Sequence, residues 1–155
     1  MLRVTRLTDY ATVVLTVLAA EPDRVLSAVE LAERAGLEPP TVSKVLKPLA
    51  QAGLLEAFRG AHGGYRLSRP AREISLIEIV EAMEGPLAMT ECSLEDTSCG
   101  IADQCGARAN WRRINDIVAD ALRGVSLAQM LEPPLPVPET GPGAPKRIPA
   151  RLATA

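Results

Sequence analysis

Apolar residues recur at helical spacing through most of the chain, and short turn signals cut the pattern into separate elements. Leu7, Ala11, Val14, Leu15 and Leu18 form one stripe, predicting a helix from about Thr8 to Ala20 that Glu21-Pro22-Asp23 ends. Ser27 and Glu30 make a capping box, in which hydroxyl and carboxylate each satisfy an unpaired backbone donor, and they open a second helix that Gly36 stops. A third helix starts near Pro39 or Pro40, residues tolerated in a first helical turn, and ends at Gly53. Pro48 falls inside it. The donor lost there costs about 3 kcal/mol unless a kink relieves it, so a bend is expected.

The period then changes. Leu54 to Arg59 and Tyr65 to Leu67 read as two short strands joined by a turn from Gly60 to Gly64. Two short helices around a tight glycine turn, with a longer helix in front and a hairpin behind, follow the pattern of a winged helix-turn-helix. Ser75 and Glu78 open another capped helix, stopped by Gly85, and residues 86–106 form a loop. A long helix follows from about Ala107 to Arg123, with Gly124 at its end and a last short turn capped by Ser126 and Gln129. From Pro133 onward the chain is rich in Pro and Gly without periodicity, which predicts disorder. The expected fold is mainly α with a small β-wing: a winged helix-turn-helix unit over residues 1–73, a cysteine-bearing loop and long helix over 74–131, and a Pro-rich tail over 132–155.

Composition narrows the class. Aromatics are scarce, so Leu, Val, Ile and Ala must fill the core, which suits helices better than packed sheets. No apolar run approaches the roughly 20 residues that cross a bilayer. The N-terminal stretch resembles a secretory leader only superficially, because Asp9 interrupts it and no small-residue cleavage site follows; a cytoplasmic protein is expected. The net charge of -2 hides a division. Residues 1–72 hold ten Lys/Arg against seven Asp/Glu, whereas residues 73–132 hold four against eleven. A locally positive face can bind nucleic acid on an acidic protein, since the field near the phosphates decides.

Candidate DNA contacts follow from that reading. Thr41, Val42, Ser43, Lys44 and Lys47 stand at the start of the third helix, where short side chains reach base edges and lysines neutralise phosphates. Arg59, His62 and Arg66 belong to the hairpin, whose glycines allow close approach to a backbone or a minor groove, and Arg69 would add a phosphate contact. Enzymatic chemistry is not expected: no catalytic histidine, phosphate-binding glycine motif or paired-carboxylate pocket can be assembled.

Cys92, Cys99 and Cys105 all fall in the loop. Cytosolic thiols stay reduced, and an odd count leaves one unpaired, so a structural disulfide is not expected. Three soft thiolates suit a thiophilic centre. Zinc favours four ligands in close Cys-x-x-Cys pairs, which are absent, whereas iron–sulfur clusters accept wider spacing. Zinc and unligated redox-sensing thiols remain alternatives.

The opening RVTRLTDYATVVL, the hairpin RGAHGGYRLSRP, the helix ISLIEIVEAMEG and the three-cysteine loop followed by NWRRIND together resemble the Rrf2 family of winged-helix iron–sulfur regulators, which includes IscR-like and NsrR-like proteins. The likeness spans about residues 1–131, and LTDYATVVL and CGARANWRRIN look nearest to the subgroup regulating the Suf iron–sulfur assembly operon. It implies a homodimer in which Trp111, Ile114, Ile117, Val118 and Leu122 pack against a partner, and a roughly palindromic double-stranded operator. It implies Cys92, Cys99 and Cys105 as ligands of a [2Fe-2S] or [4Fe-4S] cluster. In IscR-like members a histidine three residues past the last cysteine completes the set; here that place is Arg108, which stays protonated and cannot ligate. In nitric-oxide-sensing members an aspartate of the partner's first helix does so, and Asp9 occupies that place. Glu91, Asp103 and Asn110 are alternatives, and Asp9 could equally serve its own helix dipole. Where IscR-like proteins carry a glutamate for operator selection this chain has Ser43, so the target sequence does not carry over. The resemblance thus implies a repressor of assembly genes that responds to cluster supply. A nitric-oxide- or oxidant-sensing repressor, or a zinc-structural interaction module, would be the alternatives.

Overall fold

In the computed structural model, residues 3–93 and 105–132 are described. Six α-helices and one hairpin run in the order α1 (Arg6–Ala20), α2 (Ala28–Ala35), α3 (Pro39–Gln51), β1 (Leu55–Phe58), β2 (Gly64–Leu67), α4 (Leu76–Glu84), α5 (Arg108–Arg123) and α6 (Leu127–Leu131). Mainly helical architecture with a small antiparallel wing and a long C-terminal helix is therefore observed.

Helix boundaries coincide with the local chemistry. The Ser27 hydroxyl accepts from Glu30 N at 3.2 Å while the Glu30 carboxylate accepts from Ser27 N at 2.9 Å. Gly36 closes α2 in the left-handed region at φ 64°, which a side chain would strain. The Glu78 carboxylate accepts from both the backbone N and the hydroxyl of Ser75 at the start of α4. Ser126 and Gln129 repeat the box on α6. These two capped starts lie side by side: Leu76 N donates to the Val125 carbonyl and Leu127 N to the Ile74 carbonyl, each at 2.8 Å. The chain thereby leaves the core after α4 and returns to it before α6, with α5 on the excursion.

One core joins these elements. Leu15 and Leu18 of α1 meet Val42, Val45, Leu46 and Leu49 of α3, together with Leu26, Leu54, Ile74, Ile79 and Leu127. Helix α3 continues through Pro48 to Gln51, and Leu49 beyond the proline is fully buried in that same core. Helix α1 starts two residues earlier than the spacing indicated, and its first turn is arranged differently. Leu7 is 41% exposed, whereas Thr8 is buried at 1%. The reason is polar: the Thr8 hydroxyl donates to Glu84 Oε1 at 2.5 Å and Thr5 N donates to the same oxygen at 3.0 Å. The last residue of α4 thus satisfies donors at the open end of α1, so a threonine goes inside and a leucine outside.

Candidate functional site

Helix α3 follows Glu38, which gives no side-chain cap, with Pro39 and Pro40 in the first turn. Ser43, Lys44 and Lys47 are exposed on its outer face and Thr41 is half-buried. The Ser43 hydroxyl bonds back to the Pro39 carbonyl at 3.0 Å, a bond it can exchange for another acceptor. Val42 does not belong to that face. It is 0% exposed and packs with Val45, Leu46 and Leu49. Positions 42, 45, 46 and 49 form an i, i+3, i+4, i+7 stripe, so the sequence already held the signal that excludes Val42 from base contact.

The wing pairs Leu55 with Leu67, Glu56 with Arg66, Ala57 with Tyr65 and Phe58 with Gly64. Its root is tied to the α1–α2 connection, where Tyr65 N donates to the Leu26 carbonyl at 2.8 Å and Leu26 N returns a bond to Tyr65 at 3.0 Å. A Cβ on Gly64 would stand 2.4 Å from the Leu26 carbonyl oxygen, so glycine is required for this close approach. Arg59 and His62 are exposed in the turn. Arg66 is engaged along the hairpin, paired with Glu56 at 2.8 Å and stacked over Phe58 at 5.1 Å. Arg69 pairs with Glu78 and donates to the Glu73 carbonyl, so it supports the fold rather than offering a free charge. Arg24 and Arg34 are likewise taken, both by Glu21. Among the described residues Lys44, Lys47 and Arg59 carry no ion pair, which leaves a cationic set on the α3 face and the wing turn.

At the other end of the molecule, the short turn Glu91–Ser93 packs against α5. Met89 N donates to Asn115 Oδ1 at 3.0 Å, which fastens this turn to the middle of the helix. Cys105 is half-buried just ahead of α5 and is a free thiol. Arg108 N lies 3.4 Å from the Cys105 carbonyl that it donates to. Both described ends of the cysteine segment therefore border α5. Cys99, Asp103 and the Cys92 side chain lie outside the described residues, and among the described residues no three His, Cys, Asp or Glu side chains come together. Asn110 is exposed on α5. Asp9 is exposed in the first turn of α1, where its charge favours the helix dipole. The groove beside it, about 410 Å³, is bordered by Arg3, Arg6, Thr12, Leu76 and Met130, and by no described residue of the cysteine segment or of α5. Cys105, the cysteine whose side chain is described, does not border that groove.

Sequence reasoning missed Glu84. Its carboxyl is held below the ordinary carboxylate range by the bonds from Thr8 and Thr5, and it joins α1 to the residue before the loop. Acceptors that cap a helix from 79 positions away leave no local pattern to find.

On α5 the arrangement is open. Only Ala119 is buried, while Trp111, Ile114 and Ile117 are 40%, 40% and 58% exposed. The family described as "Rrf2: Iron-dependent Transcriptional regulator" matches residues 4–133. The chain belongs to the Rrf2 family. Protein aau3 of Rhizobium meliloti (strain 1021) is 34% identical over 132 residues, covering 84% of this chain and 86% of that protein. Among solved Rrf2-like structures, CymR (YrzC), the global cysteine regulator of B. subtilis, is 29% identical with a TM-score of 0.66, over 84% of this chain and 97% of CymR. IscR of T. potens is 28% identical with a TM-score of 0.61, over 84% and 86%. Membership makes this Rrf2 protein a DNA-binding transcriptional regulator and not an enzyme, of a family whose regulators act as dimers. No helix among its described residues is long and apolar enough to cross a membrane.

Proposed function

We propose that this Rrf2 protein is an iron–sulfur-dependent repressor of Suf-type iron–sulfur assembly genes, binding a roughly palindromic operator as a homodimer. Residues 1–73 form the reading unit and 74–131 the sensing and pairing unit. Thr41, Ser43, Lys44 and Lys47 enter the major groove, while Arg59 and His62 of the wing turn approach the backbone or minor groove. Arg66 adds a phosphate contact only at the cost of loosening its hold on Glu56.

Cys92, Cys99 and Cys105, with Asp9 of the partner subunit, would hold the cluster. The donor set fits: three thiols fall within one segment whose described ends both border α5, and the first residue of α5 presents a buried N–H without an acceptor. That combination is the observation carrying the proposal. When bound, such a group supplies a centre that oxidants and nitric oxide degrade. The chain's own part is geometric. Helix α5 is anchored at its C-terminal end, where the α4 and α6 starts meet, so a shift of its N-terminal half would pivot about that anchor and change the spacing of the reading units.

The exposed carboxylate of Asp9 supports a second reading, a nitric-oxide- or oxidant-sensing repressor using the same residues. A carboxylate-held iron is more labile than one held only by thiolates. Anaerobic purification with iron and sulfide counts, followed by gel shifts of loaded and cluster-free protein at fixed salt, tests both. Tighter binding of the loaded form to a Suf-type promoter than to mixed DNA is expected, and nitric oxide should abolish the difference only under the second reading. Colourless protein without iron, or protein holding zinc instead, ends both.

A further inference from the structure

Apart from its packing on α4 and on the Glu91–Ser93 turn, helix α5 is tied to the rest of the chain at two places. Its C-terminal end is held where the α4 and α6 starts meet, through the bonds of Leu76 and Leu127. A helix held at one end can still swing. The second tie lies about half-way along, where Asn115 Oδ1 accepts from Met89 N at 3.0 Å.

What lies between α5 and α1 gives this second tie its weight. A cavity of about 410 Å³ separates the two helices, bordered by Thr8 and Thr12 from α1 and by Val118 and Leu122 from α5. Among the described residues they share no extensive contact. Close packing fixes the angle between two helices, and a gap does not. Residues 84–88 line the same cavity, and Met89 follows them, so this segment joins the two sides. Its first residue is rooted in α1 as well as in α4, because the Glu84 carboxylate accepts from the buried Thr8 hydroxyl at 2.5 Å and from Thr5 N at 3.0 Å. Gly85 follows at φ 85°, a conformation that favours glycine, and the ring of Pro86 fixes the next φ. The segment is a short strut with little slack. One foot stands on the closed core and the other on Asn115.

We propose that Asn115 is a positioning residue for operator selection: by holding Met89 it fixes the angle of α5 against the reading half, and so determines which half-site spacing the dimer accepts. In a dimer joined through α5, the swing of that helix sets the distance between the two reading faces, and a palindromic site demands one distance. The inference rests on the dimeric reading of DNA above and needs no bound cluster. The group at work is the amide oxygen of Asn115, since the backbone N–H of Met89 requires an acceptor.

The test reads spacing rather than overall affinity. The full wild-type chain selects a duplex from a random pool at fixed salt. Affinity is then measured for that duplex, for versions with one base pair added or removed between the half-sites, and for a single half-site. Asn115→Leu has a similar size but no acceptor, and should lose about fivefold of the discrimination against altered spacing while keeping its half-site affinity. Asn115→Asp keeps an acceptor and should stay within about twofold of wild type. Glu84→Ala cuts the other foot of the strut and should relax spacing in the same way, with Asn115→Leu adding nothing on top of it. Amide exchange at Met89 should quicken in Asn115→Leu and not in Asn115→Asp, which shows that the bond itself is lost. Unchanged discrimination in Asn115→Leu overturns the proposal. So does an equal loss in Asn115→Asp, or a loss that sedimentation traces to monomers. Wild type that recovers no paired half-sites overturns the dimeric reading of DNA itself, and that result is visible before any variant is compared.

Discussion

Helices α1 and α5 are nearly equal in length, 15 and 16 residues, yet α1 buries five side chains and α5 one. Both are amphipathic. The difference lies in what each apolar stripe finds to cover it. Helix α1 meets α2, α3, α4, α6 and the wing, so its stripe is closed within one chain. Among the described residues helix α5 packs mainly on α4 and the Glu91–Ser93 turn, which leaves Trp111, Ile114 and Ile117 exposed. An apolar stripe of that kind, in a family of dimeric regulators, is where the proposed second copy would sit. The stripe of α1 is closed with the help of α4 and α6, whereas that of α5 is left open among the described residues.

The sharpest way to break this contrast is to damage each half and compare. Leu15→Ala, at the centre of the closed core, is expected to cost about 2–5 kcal/mol in denaturant unfolding. Ile117→Asp on the open stripe should leave the unfolding free energy of the isolated chain within about 0.5 kcal/mol. It should instead produce monomers in sedimentation and weaken operator binding by about 100-fold, through loss of the second half-site contact. If Ile117→Asp unfolds the chain, or leaves a tight dimer, the contrast fails.

Smaller effects sharpen it. Ser27→Ala removes a cap inside the closed half and should cost about 1 kcal/mol, measured by the same unfolding curves. Glu84→Gln should give the smallest change, and one that depends on pH. The folded carboxyl titrates below its ordinary value of 4.5 because Thr8 and Thr5 donate to it. Its contribution is therefore present above that value and is lost as pH falls through the folded pKa. The stability gap between wild type and Glu84→Gln should narrow on acidification below pH 4.5. A gap that stays constant down to pH 3 or so would show that the carboxylate is not the group involved.

The closed half was largely legible because its signals are local. Ser27-Glu30, Ser75-Glu78, Gly36 and Gly60 of the wing turn each act within a few residues. Where reading failed, distant partners decided the outcome. Thr8 replaced Leu7 inside because Glu84 reaches the start of α1, and Val42 went to the core because α1 packs on that side of α3. Arg66 and Arg69 look like free cations in a list of residues, but strand register and the α4 capping box assign them to Glu56 and Glu78. On the sensing half the cysteines were visible as chemistry, whereas the orphaned donor of Arg108 could only be seen once burial was known.

Amide hydrogen exchange on anaerobically loaded and cluster-free protein tests most directly whether the sensing half is finished from outside. Slower exchange on loading is expected around Met89 to Ser93 and in the N-terminal half of α5, with α1 to α3 unchanged. Equal exchange in the two preparations, or protection gained mainly in α1 to α3, would contradict it.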